Sequence, residues 1–229
     1  VTLSARTLHK KEITSSRATT AALRVRPTLG RVSRHVATDH PIGPRFAGDS
    51  SMKKVDQKTV AVVTGASGGV GRALVRMLAD RGASVALMAR GRDGLEGAAG
   101  EVEQRGGRAL VLPTDVSQYD QVAAAANATE EHFGPIDLWV NVAMVSMYAP
   151  FMEMTPEEFK HIVEVTFLGN VHGTRCALDR MVRRDRGVVV QVGSALAFRS
   201  IPLQSAYCAS KDAQPELRTG FAPSYRNPE

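Results

Sequence analysis

Eight residues, Thr64-Gly65-Ala66-Ser67-Gly68-Gly69-Val70-Gly71, limit the fold of this chain more than any others. They follow a short apolar, β-branched run, Thr59–Thr64 (TVAVVT), of the kind buried on both faces of a parallel sheet. They precede a helical stretch expected from Gly71 to about Arg81. Glycine allows a left-handed tight turn and lets backbone approach a ligand closely. The N–H groups and positive dipole end of the following helix suit an anion. A glycine cluster between strand and helix therefore reads as a phosphate cradle, where the same glycines elsewhere would read as a flexible turn.

The alternation continues. Strands are expected at Ser84–Ala89, Ala109–Leu112, Ile136–Val142 and Gly187–Val192. A helix starts at Asp93, with Glu96 completing a capping box. Another spans Asp120 to His132. Thr155-Pro156-Glu157-Glu158 opens a long helix reaching about Arg184, with Thr as N-cap, Pro in the first turn and Glu at the third position. This order predicts an α/β fold: a Rossmann-like, doubly wound parallel sheet with helices on both faces.

The charge balance first suggests a nucleic-acid partner, and its distribution argues against one. Of 29 Lys and Arg, nine stand in residues 1–51, against three of the 23 acids. The other twenty of each cancel, so the excess lies in the leader. Residues 1–51 are Arg- and Ser-rich with no sustained apolar period. Three readings fit: a disordered basic tail, an Arg-rich transit peptide, or sequence upstream of a true start at Met52. The mis-set start is favoured, since Met52 opens a Lys-containing stretch directly before the first strand. Residues 52–229 then form one domain. With no membrane-length apolar run, no membrane or nucleic-acid role is expected, and the cytoplasm is the expected location. Cys176 and Cys208 form no C-x-x-C pair, and His132, His161 and His172 lack ligand-like spacing. No metal is expected.

Tyr207-Cys208-Ala209-Ser210-Lys211 places Tyr and Lys four residues apart, on one face of a helix. A free tyrosine ionises near pH 10, and a cation beside it favours the phenolate. Lys211 supplies one. Ser194 lies thirteen residues earlier, just beyond the fifth strand, at the sheet edge where ligands bind in such folds.

With its T-G-x-x-x-G-x-G loop, this serine and the Y-x-x-x-K, the chain resembles the classical short-chain dehydrogenase/reductase family from about Gln57 to Lys211. The resemblance implies an NAD(P)-dependent oxidoreductase that interconverts a carbonyl and an alcohol by hydride transfer. Ser194, Tyr207 and Lys211 would be catalytic: Tyr207 exchanges the proton, Ser194 polarises the substrate oxygen, and Lys211 also holds the nicotinamide ribose. Gly65, Ser67, Gly68, Gly69, Val70 and Gly71 would hold the cofactor phosphates. Asp115 and Val116 would meet the adenine, and Asn141 and Ala143 would line the site. Val142 and Met144 depart from the family's N-N-A-G, and Thr166 stands where many members carry an Asn that supports a water relay.

An acid usually holds the ribose hydroxyl at the end of the second strand. Arg90 stands there instead, with Arg92 nearby, and Asp93 is expected to serve as a helix cap. NADP(H) is therefore the expected cofactor, since Arg90 attracts a 2′-phosphate; NAD(H) is the alternative.

After Lys211 the likeness is expected to fail. Pro215 should interrupt the helix at about 3 kcal/mol, and Gly220 and Pro223 add further breaks. The family's last strands, substrate lid and final helix have no counterpart, as a truncation or frame change soon after Lys211 would produce. Tyr207 and Lys211 would then sit on a broken helix. The competing reading is a catalytically impaired nucleotide-binding remnant. The family's usual homo-oligomer is doubtful on the same ground.

Overall fold

The computed structural model describes residues 55–221. The expectations for residues 1–51, Met52 and Pro223 lie outside the described residues.

Five parallel strands form one sheet: β1 (Val60–Thr64), β2 (Ser84–Ala89), β3 (Arg108–Pro113), β4 (Leu138–Asn141) and β5 (Val188–Gln191), in the order β3-β2-β1-β4-β5. Helices α1 (Gly69–Ala79), α2 (Arg92–Gln104), α3 (Tyr119–Phe133), α4 (Pro156–Val163), α5 (Gly169–Met181) and α6 (Ser205–Phe221) connect and follow them. This is the expected Rossmann-like architecture. Among the described residues no helix is long and apolar enough to cross a membrane, and no cluster of His, Cys, Asp or Glu could hold a metal ion.

The two-residue period of the strands divides the core in two. Val60, Val62, Ala86 and Met88 pack with Val122, Ala125 and Ala126 of α3 and with Cys176, Ala177 and Met181 of α5. Ala61, Val63, Val85 and Leu87 face the other way, onto Val75, Leu78 and Ala79 of α1 and Leu95, Ala98 and Val102 of α2. Both faces of β1 and β2 are thereby covered, which is why those strands read as unbroken apolar runs. β5 is an edge, and its Val188 and Val190 are exposed.

Several boundaries depart from expectation. α2 begins at Arg92, so Gly91 is the N-cap and makes no side-chain cap bond; Glu96 pairs instead with Arg92 at 3.6 Å. With the cap two residues earlier, Asp93 falls inside the first turn, where it still meets the positive end of the helix dipole. Asp93 is therefore not the cap, and capping does not keep it from the ribose. The capping box at Thr155 and Glu158 is present, with Glu158 N donating to Thr155 Oγ1 at 3.2 Å and Thr155 N to Glu158 Oε2 at 2.8 Å. The long helix does run on to Arg184, but a π turn at Glu164–Leu168 separates α4 from α5 and a 3-10 turn at Val182–Arg184 ends it.

The largest correction concerns α6, which runs through Pro215 and Gly220 to Phe221. Proline's fixed φ fits a helix, and its cost is one backbone donor and crowding of the preceding turn. Ala206, Tyr207, Ser210, Lys211 and Gln214 are all buried in this helix. Apolar burial of Ala206, Tyr207 and Cys208 on this helix, at about 25 cal/mol per Å² removed from water, offsets the proline penalty.

Candidate active site

The strand order reverses between β1 and β4, which opens a crevice at their carboxyl ends. β1 leads into Gly65 and β4 into Val142 and Ala143, and the two turns are laced together. Thr64 Oγ1 accepts from Val142 N at 3.0 Å and from Ala143 N at 3.1 Å. Gly65 has φ +69°, and a Cβ there would stand 3.0 Å from the Ala143 backbone. Gly71 is tighter still: a Cβ would lie 2.2 Å from the Gly65 carbonyl oxygen.

The loop then enters α1 with Gly68 as N-cap, no side-chain cap and no acid in the first turn. Gly68, Gly69 and Val70 are exposed. The first N–H groups of α1 thus meet no capping side chain, and the close-packed glycines keep the approach clear. The residues fit an anionic pyrophosphate group. Ser67 is held by the neighbouring helices: Arg72 Nη1 donates to its carbonyl at 3.4 Å, and the same guanidinium pairs with Glu101 of α2 at 2.9 Å.

Arg90 is exposed just past β2. Asp115 lies beyond β3. Burial pushes its carboxyl upward, but the Ser117 N–H at 2.9 Å and hydroxyl at 2.8 Å, with help from the Arg90 charge, hold it below its ordinary value. Val116 is buried, and its side chain fills the space above Gly169. Asn141 is also buried: its Oδ1 accepts from Trp139 Nε1 at 2.9 Å and its Nδ2 donates to Thr174 Oγ1 at 3.1 Å. Its side chain therefore joins β4 to α5, where Gly173 leaves the room. Met144 is exposed.

The Ser–Tyr–Lys set gathers at the end of β5. Lys211 Nζ donates to Val192 O at 2.8 Å, which ties α6 to the residue just after that strand. Ser194, two residues on, caps the turn Ala195–Ala197 by accepting from Leu196 N at 3.1 Å. Leu196 packs against Met154, Ile162, Ala206 and Tyr207, so the serine turn seats on the tyrosine helix. Tyr207 and Lys211 share one face, with Nζ 5.8 Å from the ring centroid. A cavity of about 510 Å³ lies on the other side of α6, against Ser205, Cys208, Ala209 and Asp212, and is lined also by Phe198 and Leu203.

Burial lowers the Lys211 pKa from 10.5 to about 8. The charged amine then opposes folding by about 3 kcal/mol below pH 8. The unfolded chain binds more protons between pH 8 and 10.5, so stability rises with pH across that window. Chemical denaturation at pH 7.5 and 9.5 should show the parent gaining on a Lys211→Met variant; equal slopes in the two proteins would show that Lys211 titrates normally.

Thr166 lies in the π turn, and its hydroxyl both accepts from Val145 N at 3.0 Å and donates to Val145 O at 2.9 Å. It clamps the strand that leaves β4. Sequence reasoning missed Gln214, which is buried beside Lys211. The only signal available was a polar residue three positions beyond the lysine, on the same helix face.

Known proteins share this fold. The short chain dehydrogenase family profile matches residues 59–227. An uncharacterised oxidoreductase of Bacillus subtilis is 34% identical over 163 residues, covering 71% of this chain and 46% of the relative. Among solved structures, a metagenomic short-chain oxidoreductase in complex with NADP superposes with a TM-score of 0.70 at 32% identity, over 73% of this chain and 76% of that one. An NAD+-bound xylitol dehydrogenase reaches 0.71 at 27% identity, over 76% of this chain and 66% of that one. The chain spans about half the length of three curated relatives it matches, 46%, 58% and 47%. The profile covers the glycine loop, the switch-point crevice and the Tyr207–Lys211 helix together, and on that breadth of match this chain belongs to the short chain dehydrogenase family.

Proposed function

We propose that this chain is an NADP(H)-preferring oxidoreductase that interconverts a carbonyl and an alcohol. The observation that carries the reading is the juxtaposition of Tyr207, Lys211 and the Ser194 turn at the end of β5, on the sheet edge that also bears the uncapped glycine loop. The structural relatives in complex with NADP and NAD+ support a nicotinamide cofactor, which supplies or accepts the hydride when bound.

Each residue then has a defined part. The N–H groups from Gly68 to Gly71 hold phosphate, with Gly65 and Ser67 shaping the loop. Asp115 and Val116 bound the adenine side. Asn141 and Ala143 form the wall at the end of β4, Asn141 by fixing the backbone rather than by touching the ligand with its buried amide. Ser194 Oγ donates to the substrate oxygen. Tyr207 Oη gives its proton to that oxygen during reduction and takes it back during oxidation. Lys211 holds its charge beside the ring and offers an N–H to the ribose. Mixing the chain with NADPH and a panel of ketones and aldehydes, and following loss of nicotinamide absorbance, tests the assignment. Cofactor binding with no oxidation of NADPH by any carbonyl would favour a nucleotide-binding protein instead.

Cofactor preference should follow Arg90. Its guanidinium stands where an acid would repel a 2′-phosphate, and a charge-assisted contact is worth about 1.5–3 kcal/mol. NADPH is expected to bind roughly ten- to a hundredfold tighter than NADH, with Arg90→Ala removing most of the gap. Equal affinities in the parent, measured by fluorescence titration, would reject the preference.

A further inference from the structure

Lys211 is 2% exposed, and its ammonium has three N–H donors and no acceptor. Val192 O takes one. Gln214 Oε1 faces Nζ at 3.5 Å, and Gln214 Nε2 donates to Thr166 O at 3.0 Å. The amide can stand only one way round. A carbonyl oxygen only accepts and an ammonium only donates, so the nitrogen must face Thr166 and the oxygen Lys211.

The far end of this link is fixed as well. Thr166 O also accepts from Asn170 Nδ2 at 2.7 Å, and the Thr166 hydroxyl is clamped on Val145. The Gln214 amide dipole is thus anchored with its negative end toward a buried cation. At 3.5 Å the contact is longer than an ordinary N–H···O bond, so it acts mainly as charge–dipole attraction in dry surroundings. A leucine would fill the same space without the cost of burying an amide.

We propose that Gln214 is a positioning residue: its amide couples the Lys211 ammonium to the Thr166 carbonyl and, with Val192, leaves one N–H of Lys211 for the side it shares with Tyr207. Gln214 and Lys211 together join the π turn, α6 and the end of β5. The inference rests on Lys211 being part of the reactive set, and its test needs no turnover.

The test is the titration of Lys211 in the full apo chain, followed by the NMR shift of its labelled ε-carbon and assigned with Lys211→Met. Tyr207 is the titratable neighbour on the same face, and it is unchanged in every variant. Gln214→Leu should lower the Lys211 midpoint by about one pH unit, a tenfold change in its ionisation constant. Gln214→Glu, which puts a carboxylate in place of the amide, should raise it by a unit or more. A role limited to filling space would leave the midpoint of a folded Gln214→Leu protein at the parent value, and that result would overturn the proposal. Should the leucine variant fail to fold by circular dichroism, the glutamate variant decides, and an unmoved midpoint there overturns it too. Failure to oxidise NADPH would count against the oxidoreductase reading alone, since the titration is read without cofactor or substrate.

Discussion

Tyr207→Phe should reduce the rate of carbonyl reduction by about 100- to 10,000-fold, the usual contribution of a positioned proton donor. The substitution keeps the ring, and the ring is what packs: Tyr207 lies in a cluster with Met154, Ile162 and Ala206. The fold should therefore survive, with a melting temperature close to that of the parent. NADPH affinity should change little, because the proposed phosphate contacts lie in the glycine loop and not at the tyrosine hydroxyl. Single-turnover mixing, with protein in excess over NADPH, reads even a slow reaction. The result that sinks the assignment is a phenylalanine variant retaining more than a tenth of the parent rate. The chemical step would then draw its proton from elsewhere, and the grouping of Tyr207 with Lys211 would be a matter of packing.

Gly71→Ala should damage both stability and cofactor binding. The new methyl would stand 2.2 Å from the Gly65 carbonyl oxygen and 2.8 Å from its carbon. Both are backbone atoms and cannot swing aside as a flexible side chain would. Overpacking of this kind costs about 1–3 kcal/mol. Relief requires the glycine loop to move off α1, and that loop is the proposed cradle, so NADPH affinity should fall at least tenfold. Gly68→Ala is the stability control. Its φ is −159°, and nothing lies within 4 Å of the added Cβ, so its stability should stay within about 0.5 kcal/mol of the parent. A Gly71→Ala protein as stable as Gly68→Ala, with unchanged cofactor affinity, would mean that the loop yields freely and that its close packing is not what shapes the site.

Much of this could be read along the chain because the signals are local. The apolar runs of β1 and β2 mark strands buried on two faces, and the two cores that cover them are sorted by nothing more than alternation. The Thr155–Glu158 box announces its helix through bonds made within four residues. Ends were harder wherever neighbours intervene. Asp93 and Glu96 have the right spacing for a capping box, yet Arg92 joins the helix and takes Glu96 for itself. Pro215 carries a local penalty that argues for a break. The helix persists because its buried face, from Ala206 to Gln214, is fixed by contacts with segments distant in sequence.

The sequence by itself determined the layered parallel sheet, the glycine loop between β1 and α1, and the pairing of Tyr207 with Lys211 on one helix face, since period, glycine placement and a four-residue spacing are properties of neighbours along the chain. Tertiary structure alone decided how Lys211 is held. Val192, Thr166 and Gln214 come from the end of β5, the π turn and α6, and no spacing rule links them. It also decided that the side chains of Asn141 and Val116 go to packing. Burial and hydrogen-bond partners depend on which segments meet in space, and that is set only when the sheet and its helices have closed around them.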